Sequence, residues 1–285
     1  MPVRALALLV TLAALWGGSF VFMRVAVPAL GAIPLAYVRV SLAAAVLLAI
    51  AFAQRRIPPF RTRWRQLLVV GVVNSAMPFV LFCYAEQTIS ASAGAVLNAT
   101  SPFFAAIAGA VWLGQPVTGT KLAGIALGFV GVVVLVGLEP GATSNDVALA
   151  VAACLVAAAC YALAGVYTKR ALSDVPSHAI ACASQVFAAL ALMPLLPFAT
   201  IPGPLTAVVV ANVAGLAVGS TAIAYLIYFK LIADVGPQRA LTVTFLIPLF
   251  GILWGALFLG EPLTSGLLLG GALVVAGTLV TVRAK

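Results

Sequence analysis

One block of residues occurs twice in this chain, and it constrains the fold more than any other feature of the sequence. The first copy contains Pro102 and then Leu113-Gly114-Gln115-Pro116, and the second contains Pro248 and then Leu259-Gly260-Glu261-Pro262. Each residue of the second copy is numbered 146 higher than its counterpart, which is about half of the 285-residue length. The correspondence continues from Thr118, Gly124 and Gly131 to Thr264, Gly270 and Gly277. The sequence therefore predicts two homologous halves.

Long apolar segments make up both halves. Hydrophobic residues are 64% of the chain and charged residues 7%, which leaves too little polar surface for a water-soluble domain. Ten apolar runs are each long enough to cross about 30 Å of hydrocarbon at about 1.5 Å per residue. They are residues 4–27, 34–53, 66–86, 92–113, 119–138, 147–169, 178–198, 206–231, 237–259 and 264–282. The sequence thus predicts an all-α polytopic membrane protein with ten transmembrane helices.

Five predicted helices in each half require the halves to enter the membrane in opposite orientations. The expected fold is one transmembrane domain over residues 1–285, with internal repeats at 1–140 and 145–285 related by a pseudo-two-fold axis in the membrane plane. Weaker pairs extend the repeat toward its start, since Trp16 aligns with Tyr161 and Tyr84 with Tyr228. The polar stretch 139–146 separates the repeats.

The net charge of +9 is distributed unevenly among the links. Five arginines crowd residues 55–65, and Lys121, Lys169, Arg170 and Lys230 fall on links of the same parity, whereas Glu86 and Glu261 lie on the opposite links. This positive-inside pattern predicts that both termini are cytoplasmic. It also favours contact between the basic link and anionic lipid over nucleic-acid binding.

Several motifs together resemble those of a known transporter family. Trp16-Gly17-Gly18-Ser19-Phe20, an arginine early in the second helix and the doubled Pro…Leu-Gly-(Glu/Gln)-Pro block resemble the drug/metabolite transporter superfamily, and within it the ten-helix EamA family. The resemblance implies a secondary transporter of the bacterial inner membrane, in a family that includes exporters of amino acids and related metabolites. The chain departs from the family pattern at Gln115, where an acid is usual, so only Glu261 keeps the acid.

Polar side chains at mid-membrane depth are the first candidates for substrate binding. They are Asn74, Asn98, Gln185 and Thr244, and Asn98 aligns with Thr244 across the repeat. An amide in lipid must find a partner, because leaving it bare costs a few kcal/mol, on the order of 2–7. Hydrogen bonds between helices are the alternative explanation for these residues.

Deep aromatic residues and one arginine complete the expected site. Trp16, Tyr161 and Tyr225 lie within their helices rather than at the interfaces, where a polar cavity would satisfy a tyrosine hydroxyl. Arg39 lies inside the second helix, where it could meet a substrate carboxylate, pair with Glu86 or extend to the interface. Ordinary packing is the alternative for the aromatic residues.

Prolines inside apolar runs predict the moving parts. Pro78, Pro102 and Pro248 are expected to interrupt the third, fourth and ninth helices, because proline removes a backbone donor and frees a carbonyl one turn earlier. Interrupted helices in corresponding halves are typical of transporter sites and gates. A static packing kink is the alternative.

We expect export of a small organic metabolite by alternating access, with amino acids, aromatic ones included, as the favoured cargo. A passive channel or facilitator, and a membrane-embedded enzyme or lipid-handling protein, remain alternatives. No catalytic constellation, metal site or cofactor is expected, and the lone His178 and the four cysteines are interpreted as packing residues. One chain is the expected transport unit, with a dimer left open. Helices 5 and 10 are expected to lie at one side, and Glu86 and Glu261 are the candidate proton carriers.

Overall fold

Ten long helical segments make up the computed structural model of the protein, which describes residues 2–137 and 144–283. These helices are α1 (Val3–Leu30), α2 (Ala32–Ala53), α3 (Phe60–Ala85), α4 (Ala91–Leu113), α5 (Gly119–Gly137), α6 (Asn145–Ala171), α7 (Ser177–Phe198), α8 (Ala207–Val235), α9 (Val243–Leu259) and α10 (Ser265–Arg283). A short helix at Pro237–Ala240 precedes α9. The predicted all-helical, two-repeat membrane fold is confirmed, and the described ranges contain no strand.

Nine of the described helices are long and apolar enough to cross a membrane, whereas α9 has 17 residues. The exact number of ten crossings therefore stays a prediction. Most of the boundary expected between the repeats lies outside the described residues, so the limits at residues 140 and 145 also stay predictions.

Short links place charges of opposite sign at the two ends of the bundle. We call the end that carries Glu86, after α3, and Glu261, after α9, the acidic end. The opposite end, with the link from Arg55 to Arg65, is the basic end. It also holds an ion pair of 2.6 Å between Arg63 and Asp174, which joins the first turns of α3 to the link after α6.

The largest buried cluster lies toward the acidic end, and smaller separate clusters lie at the basic end. One cluster joins α1, α3, α4, α6 and α9 through residues such as Phe20, Phe82 and Val96. At the basic end α1, α8 and α9 form one cluster around Leu231, and α3 and α7 form another around Leu67. The second part of α4 packs on α6 rather than on α9. The bundle is thus closed at its acidic end.

Glycines bring α5 and α10 into close contact at one side of the bundle. A Cβ atom at Gly131 would lie 2.8 Å from the Gly270 carbonyl oxygen, and one at Gly124 would lie 2.8 Å from the Gly277 carbonyl oxygen. Gly124 and Gly270 are equivalent positions of the two repeats, and so are Gly131 and Gly277. Each contact therefore pairs a glycine from one equivalent pair with a glycine from the other. Close backbone packing of this kind holds helices together in lipid, where no hydrophobic force drives their association.

The helix interruptions differ in part from those predicted at prolines. In α3 a π-helical turn over Val72–Ala76 ends two residues before Pro78, and in α4 the helix breaks at Ala99 and Thr100, just before Pro102. The interruption predicted at Pro248 is wrong, because α9 continues through this residue. A single proline deprives the helix of one hydrogen bond, and the surrounding turns of α9 maintain the helix.

Candidate functional site

Two π-helical turns at equivalent places in the repeats form the centre of the candidate site. The turn in α3 contains Asn74 and Ser75, and the turn in α8, over Gly215–Ile223, contains Ser220 and Thr221. Wide turns of this type change the direction of side chains and occur frequently at functional sites. Ser75, Ser220 and Thr221 are buried, so both turns carry polar groups into the bundle interior.

Arg39 reaches this centre from α2. Its side chain is 5% exposed, and its Nε donates a hydrogen bond to Thr221 Oγ1 at 3.0 Å. The guanidinium lies 3.6 Å above the ring centre of Phe79, a cation–π arrangement. It also donates to Met23 Sδ at 3.5 Å. Extension of Arg39 to the interface is therefore wrong, and so is direct pairing with Glu86, because neither ion pair in the described ranges involves Arg39.

Gln185 enters the same region from α7. Its Nε2 donates to Ser75 Oγ at 3.0 Å and to Ser184 Oγ at 3.2 Å. The carbonyl oxygen of its side chain, Oε1, is buried and has no hydrogen-bond partner among the described residues. A buried amide oxygen without a donor is costly, on the order of 1–3 kcal/mol, so this atom is an available acceptor for a ligand.

Aromatic rings surround the polar groups. The Tyr225 side chain lies close to Asn74 and Ser75, and its ring meets Trp16 edge to face at 6.4 Å. Tyr161 stacks on Phe82 at a centroid distance of 6.3 Å. The hydroxyls of Tyr161 and Tyr225 both lie within electrostatic range of the Arg39 guanidinium. The arrangement combines one cation, one free acceptor and apolar ring faces.

Six of the proposed binding residues thus lie around one centre, and the other two lie elsewhere. These six are Trp16, Arg39, Asn74, Tyr161, Gln185 and Tyr225. Asn98 lies at the break in α4, where its backbone carbonyl accepts a hydrogen bond of 2.7 Å from Ser101 Oγ. Thr244 Oγ1 donates to the Leu241 carbonyl at 2.8 Å. The carbonyl that Pro102 was expected to free is therefore already bonded by a hydroxyl.

Sequence reasoning missed the part played by Thr221 and Ser75, which connect Arg39 and Gln185 to the rest of the site. Their partners, Arg39 on α2 and Gln185 on α7, were candidates from the sequence, but nothing in the sequence indicated that these two hydroxyls bond them. A usable signal was the glycine that directly precedes or begins each π-helical turn, Gly71 in α3 and Gly215 in α8.

Contacts between the repeats close the acidic end above this centre. Glu261 Oε1 accepts a hydrogen bond of 2.7 Å from the Ala91 amide, and its Oε2 accepts from the Ser92 amide at 3.0 Å. The carboxylate thereby caps the first turn of α4, where the helix dipole favours negative charge. Trp254 Nε1 on α9 donates to the Ala14 carbonyl on α1 at 3.0 Å.

Comparison with known proteins gives the same class of molecule over the whole chain. The model of the EamA-like transporter family matches residues 3–137 and again residues 148–283. A probable amino-acid metabolite efflux pump of Escherichia coli is 29% identical, with 97% of this chain and 93% of the relative aligned. A probable terminal-alkyne amino-acid exporter of Streptantibioticus cattleyicolor is 27% identical over 94% and 90% of the two chains.

A solved crystal structure shares the fold. It superposes with a TM-score of 0.68 at 20% identity, and the match covers 97% of this chain and 96% of the other. At this level of identity the likeness supports the arrangement of the helices alone.

Proposed function

Because the chain belongs to the EamA-like transporter family, it is a multi-pass membrane transporter, and we propose that it exports amino-acid metabolites by alternating access. The expected location is the bacterial inner membrane. Two bacterial relatives are named as a probable exporter and a probable efflux pump of amino-acid compounds, which supports the proposed export. One chain is proposed as the transport unit. Aromatic or other apolar amino acids are the proposed cargo.

The buried Arg39 is the observation that carries this proposal. A guanidinium in the interior of a membrane protein needs compensation, and the described residues offer it a hydroxyl, a thioether and a ring face but no carboxylate in contact. A substrate carboxylate would supply the missing charge. Arginine is suited to this task because its planar donors match a carboxylate in pairs.

The remaining groups of the site suit the other two parts of an amino acid. Gln185 Oε1 is the acceptor that we assign to the substrate ammonium group. Trp16, Tyr161 and Tyr225 would face the substrate side chain, since aromatic walls favour an apolar or aromatic group. Arg39 bonds Thr221 and Gln185 bonds Ser75, while Tyr225 lies close to Ser75 and within electrostatic range of Arg39, so one zwitterion could engage both Arg39 and Gln185.

The proposed orientation places the acidic end outside the cell and both termini in the cytoplasm. The excess of arginine and lysine at the basic end supports it. We assign the structure to a state that faces the cytoplasm, and the contacts that close the acidic end support this assignment. Substituted-cysteine labelling from outside intact cells should modify Leu263→Cys and leave Ile57→Cys unmodified. The opposite pattern would contradict this orientation.

Transport by the purified protein in proteoliposomes tests the proposed cargo. Radiolabelled phenylalanine, tyrosine, leucine, alanine and glutamate would be measured with and without a pH gradient, beside phenylalanine amide, which lacks the carboxylate. We expect the apolar and aromatic amino acids to be transported and phenylalanine amide to be excluded. Equal transport of the amide would contradict the role of Arg39.

The same assay separates the alternative functions. A passive channel would show no exchange acceleration by unlabelled substrate on the opposite side, whereas a transporter with alternating access would. A lipid-handling protein would leave all five amino acids untransported and move a labelled phospholipid between the leaflets. Either outcome would replace the proposed function.

A further inference from the structure

Glu86 is a carboxyl group whose surroundings differ sharply from those of every other described acid. It follows the last residue of α3, at the acidic end, and its side chain is 0% exposed. Neither carboxyl oxygen has a hydrogen-bond partner among the described residues. Arg24 does not bond this carboxyl and donates instead, through its Nη1, to the backbone carbonyl of Glu86.

The environment of Glu86 favours the protonated form. Its Oε1 lies against Gly94 on α4, where an added Cβ atom would be 3.3 Å away, and the ring of Phe20 on α1 lies at the same place. An ionised carboxylate without donors in such a site is strongly unfavourable, whereas a neutral carboxylic acid avoids most of this cost. Burial accordingly raises the pKa of the Glu86 carboxyl well above its usual range.

Charged and titratable groups face Glu86 from several elements. They are Arg24 on α1, Arg39 on α2, Cys83 on α3, Cys154 on α6 and Glu261 on the link after α9. The two arginines lower the pKa of Glu86 and Glu261 raises it, but burial has the largest effect. The first part of α4, Ala91–Asn98, presents no titratable side chain.

Glu261 shows the contrast at the same end. This acid accepts three hydrogen bonds from Ala91 and Ser92, at 2.7, 3.0 and 2.5 Å, at the N-terminus of α4, where the helix dipole favours negative charge. At the same end of the bundle, one carboxyl group therefore has three hydrogen-bond donors and the other has none among the described residues.

We propose that Glu86 is a proton-binding site that couples protonation to closure of the acidic end. The proposal rests on the alternating-access transport proposed above. When the acidic end is closed, the proton is retained because Glu86 is dry and has no donors. Opening of this end separates α4 from α9, hydrates Glu86 and lets it ionise. Closure from the open state therefore takes up a proton, so the external pH biases the direction in which the transporter faces.

The sign of the pH dependence follows from this linkage. The pKa of Glu86 is raised in the closed state, so the proton's contribution to closure is fully present below the open-state pKa. This contribution is lost as pH rises through the closed-state pKa. Between these two values the ratio of closed to open molecules should fall up to about tenfold per pH unit, the limit for one proton.

Distance measurement across the acidic end tests the proposal without a substrate. Spin labels at Gln87→Cys and Leu263→Cys, both exposed positions, would report the separation by double electron–electron resonance in nanodiscs over a pH series. The unlabelled parent, whose four native cysteines are buried, provides the background. We expect the short distance at low pH and a growing long-distance population as pH rises.

Two variants make the test specific. Glu86→Gln keeps the shape and mimics the protonated acid, so the short distance should persist at every pH. Asp146→Asn, which neutralises an exposed acid at the same end, should keep the wild-type response. A wild-type pH response in Glu86→Gln, or no response in the wild-type protein, would overturn the proposal.

Infrared difference spectroscopy gives a second, independent measurement. The wild-type protein at neutral pH should show a carboxylic-acid C=O stretch that Glu86→Gln lacks, and its absence would show that Glu86 is ionised when closed. Neither measurement uses an amino acid. If no amino acid is transported but the distance still responds to pH, the proposed cargo is refuted and the proton site is not. If amino acids are transported but the distance does not respond to pH, only the proposed role of Glu86 is refuted.

Discussion

Gln115 and Glu261 occupy equivalent positions at opposite ends of the bundle, and each directs its backbone amide to the carbonyl of the glycine six residues earlier. The distances are 3.2 Å from Gln115 to Gly109 and 3.1 Å from Glu261 to Gly255. The preceding glycines, Gly114 and Gly260, both adopt a left-handed conformation, at φ values of 63° and 66°. A glycine C-cap of this type explains the Leu-Gly pair in both copies of the block.

The residue after that glycine decides how strongly each end closes. At the acidic end the Glu261 carboxylate caps α4, whereas the equivalent Gln115 is exposed at the basic end. We predict that Glu261→Gln weakens closure of the acidic end by about 1 kcal/mol, the usual value of a helix cap, or about fivefold in the closed-to-open ratio. Gln115→Glu should favour closure of the basic end.

The spin-label pair at residues 87 and 263 measures both effects. Glu261→Gln should increase the long-distance population at fixed pH, and so should Gln115→Glu, because closure of one end opens the other. Unchanged distances in both variants would mean that the block only terminates helices. Asp146→Asn again serves as the matched control for loss of charge.

Arg39 variants are predicted to separate charge from geometry. Arg39→Ala should abolish amino-acid transport, because it removes the only cation at the described centre, and Arg39→Lys should retain a small part of it, because the charge persists without the paired donors. Arg61→Ala, at an exposed position, is the control. Size-exclusion profiles and thermal unfolding would verify folding. Full transport by the alanine variant would leave Arg39 with a packing role only.

The sequence predicted the helical class, the repeat and the membrane setting, because composition and repeated spacing report on these features directly. It also identified Arg39, Gln185 and Tyr225 as candidates, because polar groups in apolar runs are costly and therefore few. It could not predict that Thr221 and Ser75 join them. Those contacts depend on the π-helical turns, which change the direction of the side chains. The regular spacing of about 3.6 residues per turn does not predict this change.

Pro248 illustrates the opposite error. The local rule that proline interrupts a helix is correct for hydrogen bonding, but the packing of α9 against α1 and α4 decides whether the helix bends or breaks. The break lies instead at Leu241 and Thr242, before the helix begins. The sequence showed that Asn98 aligns with Thr244 across the repeat. It did not show that the backbone adopts different conformations around these two residues.

The contact between α5 and α10 should tolerate no side chain at its glycines. Gly131→Ala would place a Cβ atom 2.7 Å from the Val274 nitrogen, a backbone atom that cannot move aside. We expect a loss of stability of about 1–3 kcal/mol and a clear decrease in melting temperature. Gly165→Ala on α6 is the control, because no atom lies within 4 Å of the added carbon. Equal melting temperatures for the two variants would contradict the close approach of α5 and α10.

Pro102 is predicted to control motion, and Pro248 to matter less, because the helix breaks only before Pro102. In Pro102→Ala the residue regains a backbone donor, so α4 can become continuous across Ala99 and Thr100 and stiffen. We expect slower flux with ligand affinity largely retained, since the centre around Arg39 does not include Pro102.

Affinity and flux must be measured separately to test this prediction. Binding of the best substrate of the panel would be followed by calorimetry, and exchange would be followed in proteoliposomes, for Pro102→Ala, Pro248→Ala and Pro78→Ala. Pro78 lies two residues after the π-helical turn that carries Asn74 and Ser75, so its replacement should weaken binding as well as flux. Normal flux in Pro102→Ala would make the break in α4 a packing feature. A stiffer gate would change transport rates and leave the substrate affinity intact. Loss of binding in Pro102→Ala would therefore show that Pro102 shapes the binding site itself.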